Sequence, residues 1–401
     1  MTTSKYKKSF ESIMSLLKNH SYAVSLLFIF NGCLFGSWAA KVPFFQEKLE
    51  LNEQHLALLL LLLLLALGAV CSFPLTGKLV DKFGAQYVSK WAYVLYPFPF
   101  IGLTIANDIT LMGAALFLFG FLHGAMDVSM NSWAARAEAI LSKKMMPFFH
   151  AMFSLGAGLG AAISVFFVKI EMSTSVHFCL IVLFFIPFFK LLNVPAANVV
   201  QHTDSCKTGC EQPLPIVFLS LVGFIAFASA LGEGAIADWS AVIMRGEFET
   251  DMSFAGWAYA IFSLLMVLAR LLGFFIIEKI GVVNTVRGCS LFSFVGALLI
   301  IFAVSPTLAL VGFACLGIGY SVVVPLVFST AAAVNPNKSG GAIAFVATFA
   351  YGGMLIGPVI IGLIAHQTSL RNALVLLAIL PIYSLLTAYL LKPKASKVHA
   401  Y

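Results

Sequence analysis

His123, Asp127 and Asn131 stand four residues apart inside a stretch that is otherwise almost wholly apolar. That spacing puts an imidazole, a carboxylate and an amide nearly in line on one face of a helix. The carboxylate can take up and release a proton, and the imidazole one turn away can tune its affinity. The other reading is structural: His123 and Asp127 pair with each other or with a neighbouring helix and lock it. A second acid, Glu233, sits between Gly232 and Gly234, with Asp238 and Trp239 one to two turns further on. The flanking glycines predict a loosened or broken helix whose exposed backbone groups suit a polar solute. Arg270 also lies in an apolar stretch, and it needs either a partner or a route to lipid head groups.

The elements that carry these residues are membrane spans. Hydrophobic residues make up 61% of the 401 positions and charged ones 10%, far from soluble usage, where charge alone is about a quarter. A helical crossing needs about 20 mostly apolar residues. Twelve such stretches are centred near residues 30, 65, 97, 121, 158, 184, 225, 264, 295, 320, 354 and 382. They are continuous rather than alternating, which excludes a membrane barrel. The expected fold is therefore an all-α membrane protein of twelve transmembrane helices. Of the 24 Lys and Arg, 18 fall in segments on one side, five on the other, and Arg270 within a span. By the positive-inside rule both termini are cytoplasmic. The net charge of +7 follows from this asymmetry and from anionic lipid, so no nucleic-acid partner is expected. Residues 5–18 carry Phe10, Ile13, Met14 and Leu17 among lysines, as a short helix on the inner membrane surface would.

The chain is written twice. A polar connection at 194–213 separates an N-terminal six-helix bundle, 1–193, from a C-terminal one, 214–401. Sliding one half over the other by 197 positions puts Gly84 on Gly281, Gly120 on Gly317, Gly156 on Gly353 and Gly160 on Gly357. Repeats of this kind build the two bundles of secondary transporters that rock about a central site.

With these features the chain resembles the major facilitator superfamily over essentially its whole length. Gly77-Lys78-Leu79-Val80-Asp81-Lys82-Phe83-Gly84 is similar to that superfamily's loop between spans 2 and 3. The resemblance implies a gating role for Gly77, Asp81, Lys82 and Gly84, the Asp meeting a helix N-terminus or an Arg of span 4, for which Arg136 is the candidate. Ala85-Gln86 stand where basic residues commonly follow. More narrowly, the runs His123 to Asn131 and Glu233 to Ser240 resemble the YbjJ-type branch related to proton-coupled fucose permeases. Phe274 stands where that branch leads one to expect an acid after Gly273. The resemblance implies a proton-linked solute carrier and names no solute.

Around the three acids, Asn31 and Trp38 of span 1, Asn131 of span 4, Trp257 of span 8 and Tyr351 of span 11 are candidate solute contacts, the aromatics having helix packing or an interfacial belt as their other role. Arg136 and Glu138 close span 4 and His150 opens span 5, as gate residues or as interfacial anchors. Span 5 lacks the Gly-Pro pair of the superfamily's drug antiporters, and Gly357-Pro358 occurs in span 11, which favours uptake over export. His202, Cys206 and Cys210 match no standard zinc spacing, and no metal or other cofactor is expected. The sequence has neither a P-loop nor a hydrolytic constellation, so it is not read as an enzyme. The expectation is a monomeric secondary transporter in a bacterial inner membrane, moving a small polar, sugar-like solute with protons by alternating access. The rivals are a proton-antiport exporter of amphipathic compounds and a transport-dead solute sensor.

Overall fold

The computed structural model describes residues 2–49, 56–195 and 214–392, with backbone alone for 2–18, 43, 46, 56–63, 252, 253 and 337. Every regular element among them is helical. Among the described residues, ten helical segments are long and apolar enough to cross a bilayer. One of these, Phe254–Ile301, has 48 residues, about 72 Å at 1.5 Å per residue, twice what a hydrocarbon core of about 30 Å requires. Its backbone leaves the helix at Gly281, φ 79° and ψ 164°, so it supplies spans 8 and 9. Span 3 is assembled from Ala85–Leu95 and Pro97–Ile105, joined through Tyr96 in helical conformation. With these two resolved, the helices are consistent with the twelve spans expected. The helix of span 1 runs from Thr2 to Ala39, so residues 5–18 continue it instead of forming a separate element.

Contacts divide the chain into two units. The first draws on Met1–Met145, Met152–Pro215 and Asn335–Ala344, the second on Met146–Ala151, Ile216–Val334 and Phe345–Tyr401. The starts of spans 5 and 11 are thus each grouped with the other half of the sequence. His202, Cys206 and Cys210 lie outside the described residues.

The repeat seen in the sequence is a repeat of contacts. Gly84 has φ 89° and ψ 147°, the same positive-φ, extended turn as Gly281, a conformation essentially reserved for glycine. A Cβ on Gly120 would meet the Leu65 carbonyl, and one on Gly317 the Phe262 carbonyl, partners themselves 197 apart. Gly156 lies on Ile29 and Gly160 on Cys33, while Gly353 lies on Phe227 and Gly357 on Leu231. Here span 1 maps on span 7 with a shift of 198. These glycines let backbones touch where apolar side chains give helices no net drive to associate in lipid. The starts of spans 4, 6, 8, 10 and 12 are capped by Asp108, Ser173, Asp251, Ser305 and Ser369, each accepting the backbone N–H three residues on, which satisfies one orphan donor per helix.

Candidate functional site

In the first unit, span 4 is a helix from Ile109 to Leu141, held against span 2 through Gly120 and, one turn on, Gly124, whose Cβ would meet Ala69 and Ser72. That packing leaves His123, Asp127 and Asn131 buried, at 5%, 8% and 0% exposure. The Asn131 amide donates to the Asp127 backbone carbonyl (2.8 Å) and to its carboxylate Oδ1 (3.0 Å). His123 Nδ1 is hydrogen-bonded to the Tyr96 hydroxyl at 2.9 Å. Phe35 stacks on the imidazole, centroids 5.1 Å apart at 30°, and Phe153 lies beside it at 6.3 Å. Trp38 is buried and packs on Phe119 at 6.0 Å. Asn31 is fully buried, its amide 3.8 Å from the Met130 sulfur. The arrangement is an ionisable carboxylate beside an amide, with a ring-faced imidazole one turn along. Tyr96, Phe35 and Phe153 were not singled out from the sequence, because they arrive from other spans.

In the second unit, Glu233 meets Arg270. Guanidinium Nη2 is 3.6 Å from the carboxylate Oε2, and Nε donates to the Ser321 carbonyl at 3.0 Å. That carbonyl is available because Pro325, four residues on, has no N–H to give it. Span 10 breaks there, between Pro306–Tyr320 and Val323–Val334. Arg270, 8% exposed, therefore ties span 8 to span 7 and to the break in span 10. His150 faces the ring of Phe328 at 5.9 Å. The expected loosening of span 7 is corrected: the helix is continuous from Ile216 to Phe248. Its glycines instead admit close neighbours, Gly232 the Tyr320 hydroxyl and Gly234 the Met354 carbonyl.

Asp238 is exposed, in an open groove of about 430 Å³ with Trp239, Val242, Pro358 and Leu363. The Trp239 indole donates to the Pro358 carbonyl at 3.0 Å. Trp257 is 58% exposed on span 8, and Tyr351 is half-buried.

The loop after span 2 takes the helix-terminus partner. Asp81 accepts the backbone N–H groups of Gly340 (2.8 Å) and Gly341 (3.0 Å), capping the helix Ser339–Gln367 where its dipole favours an anion. A Cβ at Gly340 would lie 2.6 Å from the Gly77 carbonyl, so the approach needs glycine. Among the described residues no ion pair joins Asp81 to Arg136. The Arg136 guanidinium lies beside Gly84 instead, and Glu138 pairs with Lys144 at 3.5 Å. Lys82 sits over the Phe83 ring at 5.1 Å.

Residues 2–140 and 222–400 match the model of the Major Facilitator Superfamily. The chain belongs to that superfamily. It is a multi-pass membrane transporter and not an enzyme. It is 38% identical over 348 residues to the uncharacterized transporter y4wD of Sinorhizobium fredii, covering 86% of this chain and 90% of that protein. Among solved structures, the transporter resembles FucP in its outward conformation, with TM-score 0.77, 16% identity, and 93% and 98% of the two chains covered. It also resembles the proton:xylose symporter XylE, with TM-score 0.75, 12% identity, and coverage of 94% and 96%. At these identities the two structures speak for the fold.

Proposed function

We propose that this transporter carries a small polar, sugar-like solute inward together with protons, by alternating access, in an inner membrane with both termini in the cytoplasm. The observation that carries the reading is Asp127, a buried carboxylate at the middle of an apolar helix, with Asn131 bonded to it and His123 one turn away. Ionisable groups inside spans are costly and mark solute or proton pathways. The Phe35 ring stacked on His123 gives the same region an apolar face on which a sugar ring can lie, while Asn131 and Asn31 offer amides. Glu233 and Arg270 form the charged counterpart in the second unit. The orientation rests on the Lys and Arg asymmetry of the loops. Two folds of this kind, a fucose:proton symporter and a proton:xylose symporter, support the substrate class and the coupling ion. The YbjJ-type branch remains the narrower placement.

The test begins with a thermal-shift screen of sugars, amino acids, nucleosides and organic acids on the detergent-purified protein. The solute found is then followed in energised vesicles, with an internal pH dye reporting protons. Asp127→Asn keeps the shape of the side chain but cannot carry the proton. Solute accumulation and solute-dependent acidification should both be lost, with exchange of solute down its own gradient retained. Unchanged accumulation would move the proton site elsewhere, with Glu233 next in line.

A further inference from the structure

In the first unit Phe30 packs on Tyr93 and Tyr96, with ring centroids 4.2 Å and 6.1 Å apart, and the Tyr96 hydroxyl reaches His123. The repeat gives the second unit different residues at the same places. A shift of 197 carries Tyr93, Tyr96 and His123 onto Ser290, Ser293 and Tyr320, and the span 1 shift of 198 carries Phe30 and Asn31 onto Ala228 and Ser229. Three rings are replaced by small side chains, and the larger Tyr320 takes back only part of the space.

What remains is a cavity of about 10 Å³ whose lining includes Ala228, Ser229, Ser290, Ser293, Tyr320 and Ser384. The five hydroxyl-bearing residues are each no more than 4% exposed. Ser290 donates to the Val286 carbonyl at 2.8 Å, so its oxygen can still accept. Among the described residues no protein group bonds the Ser229 Oγ or the Tyr320 hydroxyl. A buried hydroxyl left unsatisfied is costly, and both residues line the same small space.

We propose that this cavity is a binding site for one ordered water molecule, which stands where the Tyr96 hydroxyl stands in the first unit and bonds Tyr320 and Ser229. The volume is that of one water, and buried waters bridge two to four otherwise unsatisfied polar groups. The lining holds no carboxylate, so a monovalent cation would enter with its charge uncompensated. An organic ligand does not fit. Serines stand here where the first unit has tyrosines, and the water supplies the hydrogen bond that the Tyr96 hydroxyl supplies there.

Radiolytic labelling of the full chain in detergent, in ¹⁸O-water, tests this directly, since bound water marks buried side chains that bulk solvent does not reach. Tyr320 should incorporate the label several-fold faster than Phe313, a fully buried ring on the same helix. Ser229→Val removes one partner and fills the space with a methyl group, and it should bring Tyr320 down to the level of Phe313. Ser229→Ala, which adds no bulk, should lower the labelling part way and serves if the valine variant misfolds. Three results would overturn the proposal: Tyr320 as inert as Phe313 in the parent, unchanged labelling in both variants, or labelling quenched by sodium but not by choline, which would assign the cavity to a cation.

Discussion

The two units share a backbone plan and part company at their charges. In the first, Asp127 is bonded by the Asn131 amide within one helix. In the second, Glu233 faces the Arg270 guanidinium, which also holds the broken part of span 10. The repeat makes the contrast sharper: Asp127 corresponds to Val324, Glu233 to Phe35 and Arg270 to Phe73. At these three positions one unit has an ionisable group where the other has an apolar side chain. The glycines that set helix distances were kept in both. The two units thus share the frame and differ in their electrostatics. One copy bonds its acid to an amide of the same helix, while the other uses charge as a tie between helices.

The largest effect that could break this contrast is on stability. Arg270→Ala should cost about 3 kcal/mol, near the low end for breaking a buried ion pair, because 29% of the Glu233 side chain remains exposed and water can partly compensate it. Combining it with Glu233→Gln should recover much of the loss, since no carboxylate is then stranded. Asp127→Asn should cost less than Arg270→Ala, because the amide keeps the shape of the side chain and its oxygen can still accept from Asn131. Thermal unfolding in detergent reads all three. Equal losses for Arg270→Ala and Asp127→Asn would mean that both acids are structural.

A somewhat smaller pair of changes asks whether the frame is as symmetric as its contacts. Gly120→Val and Gly317→Val each force a side chain against a backbone carbonyl of the neighbouring span, Leu65 in one case and Phe262 in the other. Overpacking of this kind costs about 1–3 kcal/mol, and the two losses should agree. A cost confined to one of them would show that the repeat survives as geometry but no longer as energetics.

Much of the frame was legible because it is periodic. Apolar stretches of membrane length and glycines at a fixed shift are local or self-referential signals, and both led to features the structure has. The polar stripe of span 4 was legible for the same reason, three residues on one helix face. Contacts between helices were not. Nothing in the spacing around His123 points to Tyr96 or Phe35, and nothing near Glu233 points to Arg270, 37 residues away on another span. Glycine was read wrongly at Gly232 and Gly234 because it has two uses, loosening a helix and admitting a neighbour, and sequence alone does not separate them. The free carbonyl at Ser321, by contrast, could have been foreseen from Pro325, and the Asp81 cap from Gly340-Gly341 at the start of span 11.

The cleanest probe of the shared frame isolates the backbone. Gly281 turns at φ 79° with nothing within 4 Å of where a Cβ would stand, and Gly84 turns at φ 89° with only the Arg136 guanidinium at 4.0 Å. A side chain at either place therefore meets no packing obstacle. What it meets is a positive-φ, extended-ψ backbone that is essentially reserved for glycine and costs an L-residue about 1–3 kcal/mol. Gly281→Ala and Gly84→Ala should each lower stability by about that amount. The Asn variants should lose as much, since the tolerance of Asn for positive φ belongs to the αL region and not to a ψ of 147° or 164°. Transport of the screened solute should slow more in Gly84→Ala than in Gly281→Ala, because Gly84 closes the loop whose Asp81 caps span 11. If Gly281→Ala were neutral in unfolding while Gly84→Ala was not, the turn between spans 8 and 9 would not need its glycine, and the second copy of the motif would be a relic of the duplication.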